Sequence, residues 1–164
     1  MTAAPIAPTS PFLEEAPPEL NARLAEVLPA GEEPLLRLAS DMADDAAYGE
    51  RWLVLTRKRL LLVGVDGTDE AAIDAIRDAR VEALVGGGFL QVNRKEGPPL
   101  LLHYSGSHAP KFAEACEAVN QLARDRWVQL MWKAFEEADL PADAAAVMKT
   151  FLAQVATFLI NQER

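Results

Sequence analysis

The sequence predicts an α+β fold: an antiparallel meander of short strands capped by a helix, with an α-helical hairpin at the C-terminal end. Three observations carry this expectation. Trp52 to Leu55 and Leu60 to Val65 are apolar runs of strand length on either side of the polar stretch Thr56-Arg57-Lys58-Arg59, which reads as a β-hairpin. Turn residues then recur at short intervals, at Asp66-Gly67, Gly86-Gly87-Gly88 and Gly97-Pro98-Pro99. From Pro110 onward the apolar spacing changes to that of a helix.

Taken in order, residues 1–18 hold five prolines and few long side chains that could pack, the composition of a flexible leader. Leu20, Leu24, Val27 and Leu28 follow at helical intervals and predict a short amphipathic helix that Pro29 and Gly31 end. Residues 34–105 carry the strand signals. Val81, Ala83 and Val85 alternate with Arg80, Glu82 and Leu84, which suits a sheet with one covered face. A helix from Pro110 to Arg124 places Phe112, Cys116, Val119 and Leu122 on one stripe, and it would cap strands too short to bury enough apolar surface alone. Beyond it, Trp127, Leu130, Met131, Ala134 and Phe135 keep helical spacing until Leu140-Pro141. Ala144, Val147, Met148, Phe151, Val155, Phe158 and Leu159 then resume it, so residues 125–164 read as a helical hairpin with two wide apolar faces. Asp139 or Leu140 is the expected cap of the second helix, with Pro141 in its first turn. The division expected is therefore a leader over 1–18, a helix and sheet domain over 19–124, and the hairpin over 125–164.

The chain has 164 residues and 50% hydrophobic content, enough for one domain with a sizeable core. Its net charge is -9, from 16 basic and 25 acidic residues. That surface repels phosphate backbones and anionic lipid headgroups, which argues against nucleic acids and phosphoinositides as partners. The longest apolar runs, Leu60 to Val65 and Val155 to Ile160, fall far short of the roughly 20 residues that span a bilayer, so direct membrane insertion is not expected. The first residues lack the positive start and apolar centre of a secretory signal, and Cys116 stands alone, which together point to the cytoplasm. On its apolar stripe Cys116 reads as a packing thiol.

Several stretches resemble a known family. Leu28-Pro29-Ala30-Gly31-Glu32-Glu33-Pro34-Leu35-Leu36 resembles the first strand of the pleckstrin-homology-like domain found at the N-terminus of certain bacterial ABC transporters. Gly49 to Val63 resembles the strand pair that opens that domain, and Ile73 to Glu82 its central turn and strand. Val85 to Val92 and Tyr104 to Ala113 resemble its later hairpin and the lead into its final helix, so the likeness spans residues 28–124. It implies a pleckstrin-homology-like antiparallel β-barrel or sandwich capped by a helix. Arg126 to Met131, Glu137 to Pro141 and Val155 to Asn161 resemble the last two helices of bacterial truncated globins. The earlier globin helices and their haem-ligating histidine have no counterpart, since the only histidines are His103 and His108, in or beside a predicted strand.

No catalytic, cofactor or metal constellation emerges. Gly86-Gly87-Gly88 lacks the Lys-Ser or Lys-Thr of a P-loop and reads as a turn or bulge. His103 and His108 have no cysteine or carboxylate in ligand spacing, and adjacent acids such as Glu32-Glu33 point apart on a regular element. Ser105 and Ser107 lack a nucleophile elbow. The candidate partner-binding residues are Arg57, Lys58 and Arg59 at the hairpin tip and Trp132, on the side of its helix away from Trp127. The expected function is a non-catalytic cytoplasmic interaction or regulatory module of an ABC-type membrane transporter, held near the inner membrane through that partner. Two alternatives stand beside it: a haem- or small-ligand-binding protein with a globin-like end, and a homodimer joined through the helical hairpin.

Overall fold

The computed structural model describes residues 12–43 and 48–161. Helix α1 (Pro18–Val27) is followed by strands β1 (Leu36–Met42), β2 (Tyr48–Leu55), β3 (Arg59–Val63) and β4 (Thr68–Ala72). A 3₁₀ turn over Ile73–Ala75 leads to β5 (Ile76–Leu84), β6 (Gly87–Arg94) and β7 (Leu100–Ser105). A second 3₁₀ turn, Gly106–His108, opens helix α2 (Ala109–Glu137), and α3 (Ala142–Asn161) closes the chain. The class is α+β. Strands β1 to β4 form one antiparallel sheet and β5 to β7 another.

The apolar hairpin forms as expected, with Leu55 opposite Leu60 and Trp52 opposite Val63. Its unbroken apolar runs have a physical reason, because both faces of β2 and β3 are covered. Leu53, Leu55, Leu60 and Leu62 face the main core with Phe112 and Val119 of α2. Trp52, Val54, Leu61 and Val63 face the opposite way, against Leu20 and Leu24 of α1. Arg23 of α1 fixes the turn after β3 by donating to the carbonyls of Gly64 and Val65.

The two sheets do not close into a barrel. At the corner where β1 lies beside β7, side chains replace a backbone ladder. Alternate backbone groups of β7 are met in turn: Leu101 O accepts from Arg51 Nη1 at 3.0 Å, His103 O accepts from Ser40 Oγ, and Ser105 N donates to Asp41 Oδ1 at 3.0 Å. Strand β5 is paired on one side only, with β6, and α2 covers part of the other side. Asn120 Oδ1 accepts from Ala79 N at 2.7 Å and Asn120 Nδ2 donates to Ala79 O at 2.8 Å, so one amide serves both backbone groups as a neighbouring strand would.

Several expected boundaries move. Residues 28–35 form a connection, and the first strand begins at Leu36, where Leu38 and Leu36 turn inward. Of the expected leader, residues 1–11 lie outside the described residues; from Phe12 the chain runs beside β1, with Arg37 N donating to Phe12 O at 2.6 Å and Glu14 N to Arg37 O at 2.9 Å. The outer half of β5 is exposed on both faces, Val81 and Leu84 included, because α2 has left the sheet there. Helix α2 runs straight through Arg124 and Asp125, the boundary expected in the sequence, since neither glycine nor proline occurs between Lys111 and Leu140. It ends at Glu137, capped by Ala138 and followed by Asp139, whose φ of 50° is left-handed. Asp139 therefore terminates α2, while the Pro141 carbonyl receives the first α3 bond from Ala145 N.

Candidate functional site

The basic turn between β2 and β3 is built around a buried hydroxyl. Thr56 is fully buried; its Oγ1 accepts from the backbone N–H groups of Lys58 and Arg59 and donates to Glu32 Oε1 at 2.7 Å. Arg59 grips the same carboxylate, Nε to Oε1 at 2.8 Å and Nη2 to Oε2 at 3.2 Å, and its Nη1 reaches Glu70 Oε1 at 2.8 Å. Burial alone would raise the pKa of Glu32, but the hydrogen bonds from Thr56 and Arg59 and the charge of Arg59 outweigh it and hold the group below the usual carboxylate range. The hydrogen bond to Glu32 pushes Arg59 further up. The three cations of this turn thus part company. Arg59 is a structural clamp between the α1–β1 connection and β4, and Arg57 and Lys58 remain exposed at the tip.

Trp132 stands on the second half of α2 and is 41% exposed. It borders an open groove between α2 and α3 of about 630 Å³, whose other wall is Lys149, Ala153, Thr157 and Phe158. Trp127 lies on a different side of the helix, where it lines a separate cavity with Ile73 and Leu130. Helix α3 packs beside α2 with Ala156 buried and Leu152 and Ala153 half-buried, and Arg124 Nη1 of α2 donates to Thr157 Oγ1 at 3.0 Å. That packing turns another stripe outward: Val147 is 70% exposed, Phe151 60% and Phe158 58%. Sequence reasoning placed these side chains on a packing face. The width of both apolar faces was read from the sequence; the structure adds that the α2 neighbour leaves Val147, Phe151 and Phe158 uncovered.

The histidines belong to the β1–β7 corner. His108 stacks on Phe112 and its Nδ1 lies 3.3 Å from Ala39 O, with Nε2 3.9 Å from Asp41 Oδ2. Burial by itself would raise the Asp41 pKa, but the hydrogen bonds from Ser105 and the nearby His108 leave it lowered. His103 packs on Phe89 across the β6–β7 pair. Cys116 is buried in the core within reach of the Asn120 amide. The glycine run serves chain packing: Gly86, at φ +80°, makes the β5–β6 turn, and a Cβ on Gly87 would sit 2.2 Å from Tyr104 O. Among the described residues no group of three or more His, Cys, Asp or Glu is placed to hold a metal ion, and no helix is long and apolar enough to cross a membrane.

No family model matches the chain, and no curated protein matches it. Among solved structures it is similar to the C-terminal domain of an unknown protein from Leishmania infantum, at 13% identity and a TM-score of 0.49, over 62% of this chain and 94% of that one.

Proposed function

We propose that this chain is a non-catalytic interaction module of pleckstrin-homology-like build, whose two C-terminal helices form a hairpin that carries the contact surface. The observation that carries the reading is the outward stripe of Val147, Phe151 and Phe158, continued by Trp132 across the groove. Burying an aromatic or aliphatic side chain of this kind contributes about 1.5–3 kcal/mol, so leaving several in water is a cost that a partner would recover. The pleckstrin-homology-like build is supported by the element order, with sheets of four and three antiparallel strands followed by a helix that packs on the second sheet. The partner this resemblance implies is a subunit of an ABC-type membrane transporter, met from the cytoplasm. Arg57 and Lys58 are available to an acidic partner surface, whereas Arg59 is already neutralised.

The test is affinity capture from solubilised membranes of the native host, with the full chain and with its F151D/F158D variant, alongside sedimentation. Transporter subunits recovered by the parent and lost by the variant support the module. Recovery of the bait alone overturns the transporter partner. In that case a mass that doubles with concentration, and reverts in the variant, selects the homodimer; a monomer at all concentrations removes both.

A further inference from the structure

A second feature lies on the other side of α2, away from the exposed stripe. Where α2 leaves β5 and α3 returns beside it, a cavity of about 440 Å³ opens. This is within the size range of small-molecule sites, roughly 300–1,000 Å³. Its apolar lining comes from four elements. Ile73 and Ile76, both buried, precede and begin β5; Trp127 and Leu130 come from α2; Ala156 comes from α3.

The rim has an unusual charge for this chain. Four of the 16 basic residues line it, Arg77, Lys95, Arg124 and Arg126, against two carboxylates, Asp74 and Asp78. Arg126 holds Asp74 through Nε at 2.6 Å and Nη2 at 3.4 Å, and Arg77 pairs with Asp78 at 3.2 Å. Arg124 is met by Asp125, which lies outside the lining. One positive charge is left over by this count; Lys95, at the exposed rim, makes no side-chain hydrogen bond or ion pair among the described residues, and its charge acts on Asp74 only from a distance. One cation in excess beside an apolar, aromatic-bearing cavity, on a chain of net charge -9, suits one ligand chemistry better than others. A dianion would lack its second counter-charge, and a neutral apolar molecule would leave the cation unused.

We propose that this cavity binds an amphipathic monocarboxylate, its apolar body against Ile73, Trp127 and Leu130 and its carboxylate at Lys95. Binding there is independent of any partner on the exposed stripe. The experiment is calorimetric titration of the full chain with decanoate below its micelle concentration, with decanol and decyltrimethylammonium as the neutral and cationic counterparts. Decanoate is expected to bind at one site, with decanol and the ammonium weaker by about tenfold or more, the scale of one charge-assisted contact. Lys95→Glu, a change at an exposed rim position, is expected to cost a similar factor of about ten, and Phe151→Asp to leave the affinity unchanged. Filling the cavity by Leu130→Trp is expected to abolish binding, with retained urea unfolding as the control for folding. The proposal is overturned if decanoate does not bind or binds no better than decanol. It is also overturned if binding survives Lys95→Glu intact, and loss in Phe151→Asp would then place the ligand on the exposed stripe.

Discussion

The sheet body and the C-terminal helices are comparably apolar in sequence but differ in how far the fold uses that character. In the body, β2 and β3 are covered on both faces, and Leu38, Leu53, Leu60 and Phe112 have no measurable exposure. From Asp125 to the last described side chain, only Phe135 and Ala156 are buried. Apolar content therefore does not by itself say where a core lies. Two layers enclosing β2 and β3 complete the body, whereas α3 has one helix to lie on and keeps its aromatic stripe in water. The body encloses its own apolar residues; the helical end leaves Val147, Phe151 and Phe158 exposed.

The comparison breaks most sharply if a body side chain and a stripe side chain cost the same. Phe112→Ala is expected to destabilise by about 3–5 kcal/mol, because it removes the ring stacked on Tyr104 at the centre of the core. Phe151→Asp is expected to change stability by about 0.5 kcal/mol or less, as for other exposed positions. Urea unfolding of both variants measures this. A large loss in Phe151→Asp would mean that the stripe is packed and would remove the interaction surface.

Next in size is the clasp between the body and α2. Asn120→Ala leaves the N–H and C=O of Ala79 without their side-chain partner, and each such group costs about 1–3 kcal/mol. Asn120→Asp is expected to recover part of the loss, since a carboxylate accepts from Ala79 N but repels Ala79 O. Equal stability of Asn120→Ala and the parent would show that water serves Ala79 as well as the amide does.

These effects also mark what was legible in the sequence. The Trp52–Val63 hairpin, the α1 helix, the Gly86 turn and the helical period after Pro110 depend on neighbours close in the chain, and their signals are local. The Asn120 clasp joins positions 41 residues apart, and the Arg59 clamp on Glu32 joins positions 27 apart. Nothing in either local pattern distinguishes Arg59 from Arg57 or Lys58, which is why all three read as one basic tip. The stripe was legible as a wide apolar face in need of cover, but which of its side chains stay exposed was not, because a helix records in its sequence that it has an apolar face and not what covers it. The break expected at Arg124 had no helix-breaking residue behind it, and α2 runs through.

The basic turn gives a pH test of the body alone. The pKa of Glu32 is lowered in the folded protein, so its contribution is fully present above the unfolded value, about 4.3, and is lost as pH falls through the folded one. Glu32→Gln is expected to remove about 1.5–3 kcal/mol at pH 7 and to flatten the fall in stability below pH 4. Asp74 is also lowered, chiefly by its hydrogen bond from Arg126, so the tie from the first 3₁₀ turn to α2 weakens in the same direction. Proteolysis rates of the helical end across pH 3 to 6 would report that loosening separately. A Glu32→Gln variant with the parent's acid profile would show that the clamp contributes nothing.

The smallest expected effect probes the joint between α2 and α3. Asp139 takes a left-handed φ of 50°, a conformation in which an L side chain is strained and glycine is not. Asp139→Gly relieves that strain but adds freedom to the unfolded chain, so the gain is expected to be about 0.5 kcal/mol or less. Its value lies in what it leaves alone, since Trp132, Phe151 and the Lys95 cavity are untouched. If partner capture weakens while stability rises, the turn's looseness is part of how the helices fit their partner, and the contact surface is adjustable. Unchanged capture means that α2 and α3 meet the partner in the arrangement they already have. In that case the cost of the exposed aromatic stripe is carried by a rigid surface, as Phe151→Asp independently tests.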